Sequence, residues 1–235
     1  MSTPPTVLPA WRRVLVVVAH PDDESFGLGA VIAALAERGS EVHVLCLTQG
    51  EASTLGAAPD LARVRARELE QAGLALGTRS TQLLDLPDGG LTDLDPEVPA
   101  AAVRRAIAAV DADGLLVMDT TGISGHPDHV AATAAALVVA EERDLPVLAW
   151  TITDDLSAQL VAETGVPFVG CGPVEHFTVQ VDRGAQRRAI AAHASQAVPG
   201  SVLWRRLELQ GDTETLRWLR TPPPAAPTSD ERGAS

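Results

Sequence analysis

The chain contains no tyrosine, so any site it carries works without a phenol. It has two cysteines, Cys46 and Cys171, too few for a disulfide framework. Cys46 sits within an apolar run, where a thiol behaves as a small buried hydrophobe. Basic residues are scarce: 18 Lys plus Arg against 31 Asp plus Glu gives a formal net charge of −13. That balance repels phosphate backbones and anionic head groups, which argues against nucleic acid and membrane surfaces as partners. Long hydrophobic runs are missing too, and stretches such as 14–19 and 131–140 are too short to span a bilayer. Residues 1–10 show neither a basic n-region nor an apolar h-region, so the expected location is the cytoplasm.

What is present is a chain of 235 residues, 46% of them apolar, enough for one sizeable α/β domain. Residues 14–19 form a β-branched run that predicts a strand buried on both faces, and 42–48 repeats the pattern. Shorter strands are expected at 81–84, 114–118, 147–151 and, with alternating faces, 177–181. Helical spacing covers 26–38, stopped by Gly39, and 61–76, stopped by Gly77 as a C-cap. Further helices are expected at 96–110, 127–142 and 183–195. Strands alternating with helices predict a Rossmann-like α/β fold, a mostly parallel sheet with helices on both faces. The last strand is the one expected to pair differently. The expected organisation is an extension over 1–11, a domain over 12–220, and a proline-rich disordered tail over 221–235.

In such a sheet, ligands bind outside the carboxyl ends of the strands, and the polar residues gather there. His20-Pro21-Asp22-Asp23-Glu24 follows the first strand, Thr48-Gln49-Gly50-Glu51 the second, residues 85–90 the third, and residues 119–129 the fourth. His20 and Asp23 stand three apart where strand turns into helix, so their side chains converge. Imidazole and carboxylate suit Zn²⁺, and His129 completes a three-ligand set that leaves a position for water. Asp22 is then the candidate general base. His126 is free to stabilise an oxyanion or protonate a leaving amine in its charged form, with Asp128 to orient it, whereas a neutral His126 would serve as a further metal ligand.

Each motif alone has an ordinary alternative. A His-x-x-Asp at a helix start is commonly an N-cap with a surface histidine, and His-Pro-Asp-His is commonly a turn before a capped helix. Both at strand ends of one sheet make the functional reading the stronger. His43 and His176 read as structural, and His193 by position as a surface residue. Leu115 and Val117 read as core, and Trp204, Arg205, Arg206 and Trp218 as packing of a C-terminal segment.

Taken together, residues 19–24, Thr48-Gln49-Gly50-Glu51, Arg65-Ala66-Arg67-Glu68-Leu69, Pro87-Asp88-Gly89, residues 126–129 and His193-Ala194-Ser195-Gln196 resemble the LmbE-like, or PIG-L-type, N-deacetylases. The resemblance spans about residues 12 to 197. It implies a Rossmann-like fold and zinc-dependent removal of acetyl groups from amino sugars, with His20, Asp23 and His129 on the metal and Asp22 as base. It also implies that His126 is the electrophilic histidine, that Arg65 contacts substrate, and that Asp88 lies on a sugar loop. Members of the mycothiol pathway carry a tyrosine two residues before the first histidine of His-Pro-Asp-His, whereas this chain has Ser124. That departure leaves zinc hydrolysis in place and removes the assignment to that one substrate.

The expected function is therefore zinc-dependent N-deacetylation of an N-acetylated amino sugar or related small conjugate. An amidase of a thiol-sugar conjugate is the nearest alternative. A non-haem Fe(II) enzyme would use the same two histidines and one carboxylate, with Fe²⁺ as the second candidate metal. A sugar-binding or metal-sensing protein on a retained scaffold is the non-enzymatic alternative, and the intact set of motif residues speaks against it.

Overall fold

The computed structural model describes residues 6–56 and 59–221. Five strands, β1 (Arg13–Val18), β2 (Glu41–Thr48), β3 (Ser80–Leu86), β4 (Gly114–Met118) and β5 (Val147–Thr151), pair in parallel. With β6 (Phe177–Gln180) and β7 (Thr213–Arg220) they form one sheet in the order β3-β2-β1-β4-β5-β7-β6. β7 runs antiparallel to both of its neighbours, which makes it the exception in an otherwise parallel sheet.

β1 is an interior strand whose residues feed both faces. Val14, Val16 and Val18 enter one apolar cluster, and Leu15, Val17 and Ala19 enter the other. A strand buried on both sides reads as a continuous apolar run. Against the first face pack α2 (Gly29–Glu37), α3 (Leu61–Leu76) and α8 (Gly184–Ala192). Against the second pack α4 (Glu97–Val110) and α6 (Pro127–Arg143). Each fully buried aliphatic side chain contributes roughly 1.5–3 kcal/mol, so two such layers hold the sheet without cross-links. Cys46 and Cys171 are both free and buried.

Several boundaries differ from the sequence reading. The helix expected at 26–38 starts earlier and breaks in two, α1 (Asp23–Phe26) and then α2. The last expected helix stops at Ala192, with His193 as its C-cap. Besides the short α5 (Gly122–Gly125) and a 3-10 turn at Leu91–Asp93, three longer elements have no counterpart in the sequence reading: α7 (Asp154–Thr164), α9 (Val202–Gln210) and β7. α7 buries only Ser157 and Leu160, too little to impose a period. β7 buries Glu214 against Arg183, so a charge occupies a core position and hides the strand pattern. Trp218 of β7 packs edge-on against Trp11, ring centroids 5.8 Å apart, and Leu8 is buried, so part of the expected N-terminal extension joins the core. The expected tail lies, from residue 222 onward, outside the described residues.

Candidate active site

In the parallel part of the sheet the chain winds outward from β1 to β2 and β3, and then returns to β4 on the other side. β1 and β4 therefore flank the point where strand order reverses, the position at which such sheets open a crevice. His20 and Asp23 follow β1, and α6 begins beyond β4. Pro127 supplies the fixed φ of the first helical position, and His126 caps the helix by accepting from the Asp128 N–H at 3.3 Å.

Three side chains converge there. His20 Nδ1 lies 3.3 Å from His129 Nε2, His129 Nε2 lies 3.1 Å from Asp23 Oδ1, and His20 Nδ1 lies 3.6 Å from Asp23 Oδ2. Metal bonds of about 2.0–2.2 Å in a tetrahedron put ligand atoms about 3.3–3.6 Å apart, which matches this spacing. The far side of each ring is already committed. His129 Nδ1 donates to the Gly122 carbonyl at 3.2 Å, and His20 Nε2 faces Asp128 Oδ2 at 3.2 Å and Asp88 Oδ1 at 3.1 Å. Those bonds set the tautomers so that His20 Nδ1 and His129 Nε2 offer lone pairs to the same point. Asp23 is held in turn by the backbone N–H groups of His20 and Ala19, at 2.9 and 3.2 Å. The donor set fits a divalent metal ion.

The electrostatics agree with that fit. Burial lowers the His20 pKa, but hydrogen bonds to Asp128, Asp23 and Asp88 overcome it and push it up to about 12. Burial likewise opposes the His129 shift, yet the Asp23 charge raises it. Asp23 goes well below the ordinary carboxylate range despite its burial, because both histidines face it. Protons held between carboxylates mark a place that favours positive charge, which a divalent ion would also supply.

Asp22 stands beside the triad in a strained conformation, with φ at 132°. Strain of this kind in a non-glycine residue is concentrated at functional sites. Its Oδ2 accepts from Arg65 NH2 at 2.9 Å. Burial raises its pKa to about 7, and Arg65 restrains the rise. Arg65 is itself buried, donating to the carbonyls of Gly50 and Pro21. Gly50 has φ at 65°, and a Cβ there would lie 2.0 Å from Arg65, so this close approach requires glycine. Arg65 also lines the cleft, with NH1 and NH2 bonded to Gly50, Pro21 and Asp22 and its Nε left without a hydrogen-bond partner.

His126 stacks on His129, ring centroids 4.7 Å apart, and the nitrogens of His20, His126 and His129 lie within 4.8 Å of one another. Burial lowers its pKa, and His129 and His20 lower it further. Its Nδ1 is the acceptor in the helix cap, which leaves Nε2 to carry the proton of a neutral ring. The Asp128 carboxylate expected to orient and charge His126 is engaged elsewhere, by His20 and by the N–H groups of Gly89 at 2.7 Å and Leu91 at 3.1 Å. Asp88 lines the cleft, but its oxygens are also committed, one to His20 and the other to the Ala52 N–H at 2.8 Å.

His193 is not a surface residue. It is fully buried, its Nε2 2.7 Å from Glu24 Oε1, while Glu24 Oε2 accepts from the Asp22 N–H at 3.0 Å. The next turn is pegged to α3, where Ser195 donates to Glu68 through N at 2.8 Å and Oγ at 2.6 Å. This brings Gln196 into the cleft wall next to Ser53, whose Oγ donates to it at 2.8 Å. Neither cleft residue was identified from sequence by its chemistry. His43 and His176 lie away from the cleft, bonded to Ser80 and the Gly172 carbonyl.

The cleft has a volume of about 400 Å³ and is mainly polar, with Ser53, Asp88, Gln196 and the triad in its walls. A second cavity of about 210 Å³ meets it at Asp23 and His129 and is lined by apolar side chains.

A mostly parallel α/β sheet with two histidines and a carboxylate converging where strand order reverses has the architecture of a metal-dependent hydrolase. The chain belongs to the PIG-L family: the family model for GlcNAc-PI de-N-acetylase matches residues 15–140. A 1D-myo-inositol 2-acetamido-2-deoxy-alpha-D-glucopyranoside deacetylase of Rhodococcus opacus (strain B4) is 33% identical over 241 residues, covering 79% of this chain and 82% of that protein. A probable N-acetyl-alpha-D-glucosaminyl L-malate deacetylase 2 of Bacillus anthracis is 28% identical over 221 residues, covering 90% and 93%. The solved structure of the zinc inhibited form of teicoplanin deacetylase Orf2 shares the fold, with a TM-score of 0.68 at 24% identity over 89% of this chain and 98% of that one. No helix among the described residues is long and apolar enough to cross a membrane.

Proposed function

We propose that the protein removes an acetyl group from the nitrogen of an N-acetylated amino sugar or a related small conjugate. The observation that carries the reading is the convergence of His20 Nδ1, His129 Nε2 and Asp23 beside Asp22, whose pKa is about 7. The relatives, named as deacetylases of N-acetylglucosaminyl conjugates, support the substrate class. His20, Asp23 and His129 would hold the metal, with Zn²⁺ the ion best suited to the donor set and Fe²⁺ the second. When bound, such an ion supplies Lewis-acid polarisation of the carbonyl and acidifies water.

The chain's own groups do the rest. Asp22 accepts a proton as water adds to the amide carbon. With a pKa near 7, it is basic enough to take that proton and acidic enough to return it to the departing nitrogen. His126 offers Nε2–H to the oxygen that gains charge as the carbonyl becomes tetrahedral. The C–N bond then breaks, and the products are acetate and the protonated free amine. Arg65 holds Asp22 in place, and the polar wall of Ser53, Asp88 and Gln196 suits sugar hydroxyls.

Purified protein should release acetate from N-acetylglucosaminides, lose that activity on dialysis against a chelator, and regain it with Zn²⁺ or Fe²⁺. Metal-loaded protein that releases no acetate from any N-acetylated amino sugar would overturn the reading. Oxygen uptake in place of acetate release would favour the Fe(II) oxygenase alternative.

A further inference from the structure

We propose that Glu24 and His193 are positioning residues for the general base: together they grip the Asp22 main chain and hold its carboxylate beside the metal ligands. The inference rests on the hydrolase reading, in which Asp22 takes the proton from water, and deepens it. Asp22 needs a grip because φ of 132° with ψ of −26° is a conformation that residues other than glycine adopt only when their surroundings enforce it. The Pro21–Asp22 peptide is held from both sides. Its carbonyl accepts from Arg65, and its N–H donates to Glu24 Oε2 at 3.0 Å. Arg65 and Glu24 therefore set which way that peptide plane faces, and with it the direction of the Asp22 side chain. The Asp22 carbonyl in turn accepts from the N–H groups of Ser25 and Phe26, at 2.9 and 2.6 Å.

Glu24 can serve only if its own carboxylate is fixed. It is fully buried, and its Oε1 accepts from Ser25 Oγ at 2.5 Å and from His193 Nε2 at 2.7 Å. Ser25 is its neighbour in the chain and moves with it, whereas His193 arrives from the C-cap of α8, 169 residues away. α8 is itself tied to α1, since Gln186 donates to the carbonyls of Ser25 and Phe26 at 3.0 and 3.3 Å. Stability does not explain the pair. His193 is fully buried with its Nδ1 lacking a hydrogen-bond partner, and well-packed apolar side chains commonly replace buried charge pairs without loss of stability. One imidazole nitrogen is thus left unpaired so that the other can aim its N–H at Glu24.

The test pairs a single with a double variant, both loaded with metal. His193→Leu leaves Glu24 buried and unpaired, so its Tm should fall, whereas Glu24→Met with His193→Leu removes both polar groups and should recover the Tm. In both, metal content should stay at the wild-type level while kcat falls about 10²-fold with KM little changed, the cost of displacing a reacting group by about 1 Å. His193→Gln, whose amide can still donate to Glu24, should restore most of kcat. Ile190→Ala opens a cavity in the same helix and should lower the Tm while leaving kcat within about two-fold. A crystal structure of the metal-free double variant should show Asp22 with φ relaxed to a negative value. Wild-type kcat in the folded double variant, or Asp22 still at φ near 132° in it, would overturn the proposal. Loss of metal would overturn it too, since the pair would then act on the ligands. Metal-loaded wild-type protein that releases no acetate from any N-acetylated amino sugar would sink the hydrolase reading instead. That outcome is told apart from failure of the grip because it appears before any variant is made.

Discussion

His20 and Asp128 meet at 3.2 Å, Nε2 to Oδ2, and that contact turns His20 Nδ1 toward His129 and Asp23. Asp128 is able to do this because two backbone N–H groups, those of Gly89 and Leu91, fix its own carboxylate from the loop after β3. Asp128→Ala should therefore weaken metal affinity about 10–100-fold without removing a ligand. Competition against a chelator of known affinity measures it, and unchanged affinity would show that His20 needs no such partner.

Metal uptake should release protons. His20 and His129 both have raised pKa values in the metal-free protein, His20 up to about 12, so His20 carries its proton at pH 7. A lone pair is needed from each ring for coordination, and the protons must leave. Calorimetric titration of the metal-free protein in buffers of different ionisation enthalpy should show net proton release on metal binding. His129→Ala should purify without most of its metal, and full occupancy in that variant would remove His129 from the centre.

Asp22→Asn should keep its metal while kcat falls by about two to four orders of magnitude, the range expected for a lost general base. The pH profile carries the sign. Asp22 acts ionised and its pKa is raised to about 7, so wild-type activity should climb as pH rises through 7. That acidic limb should be missing from the residual activity of Asp22→Asn. If the variant lost its metal instead, Asp22 and Asp23 would exchange roles.

Arg65→Gln separates positioning from substrate binding. Arg65 holds the Asp22 pKa down against burial, so its loss should move the acidic limb to higher pH and lower kcat. KM should change little. A variant whose KM rises while its pH profile stays in place would make Arg65 a substrate contact.

His126→Ala should retain metal and lose kcat by about 10²–10³, the cost of removing one donor to a developing oxyanion. Burial and two neighbouring histidines depress its pKa, so the role proposed for His126 is that of a neutral donor. Its removal should leave the basic side of the pH profile unaltered. Loss of a basic limb in this variant would mean that the charged imidazolium is the working form.

Much of this protein is written locally. The continuous apolar run of β1 announces a doubly buried strand because both faces of the sheet draw on it. The spacing of His20 and Asp23, and the Pro127 that starts α6 ahead of His129, mark ligands at helix starts because short-range geometry alone brings such side chains together. Which partner each polar group takes is a different matter. Asp128 lies two residues from His126, yet its carboxylate bonds His20, 108 residues away, since the sheet order stacks the loops after β1, β3 and β4 together. His193 looked like a surface residue because its partner, Glu24, is 169 positions distant. Arg65 faces inward because Gly50 leaves room for its guanidinium, and β7 was hidden because Glu214 is buried only by virtue of Arg183. Periodicity and motif spacing are properties of neighbouring residues, so the sequence determined β1 to β6, the strongly periodic helices and the candidate ligand types. Burial of charge and choice of tautomer depend on groups that meet only after the layers pack, so the tertiary structure alone decided how those residues are held and what lies on either side of them.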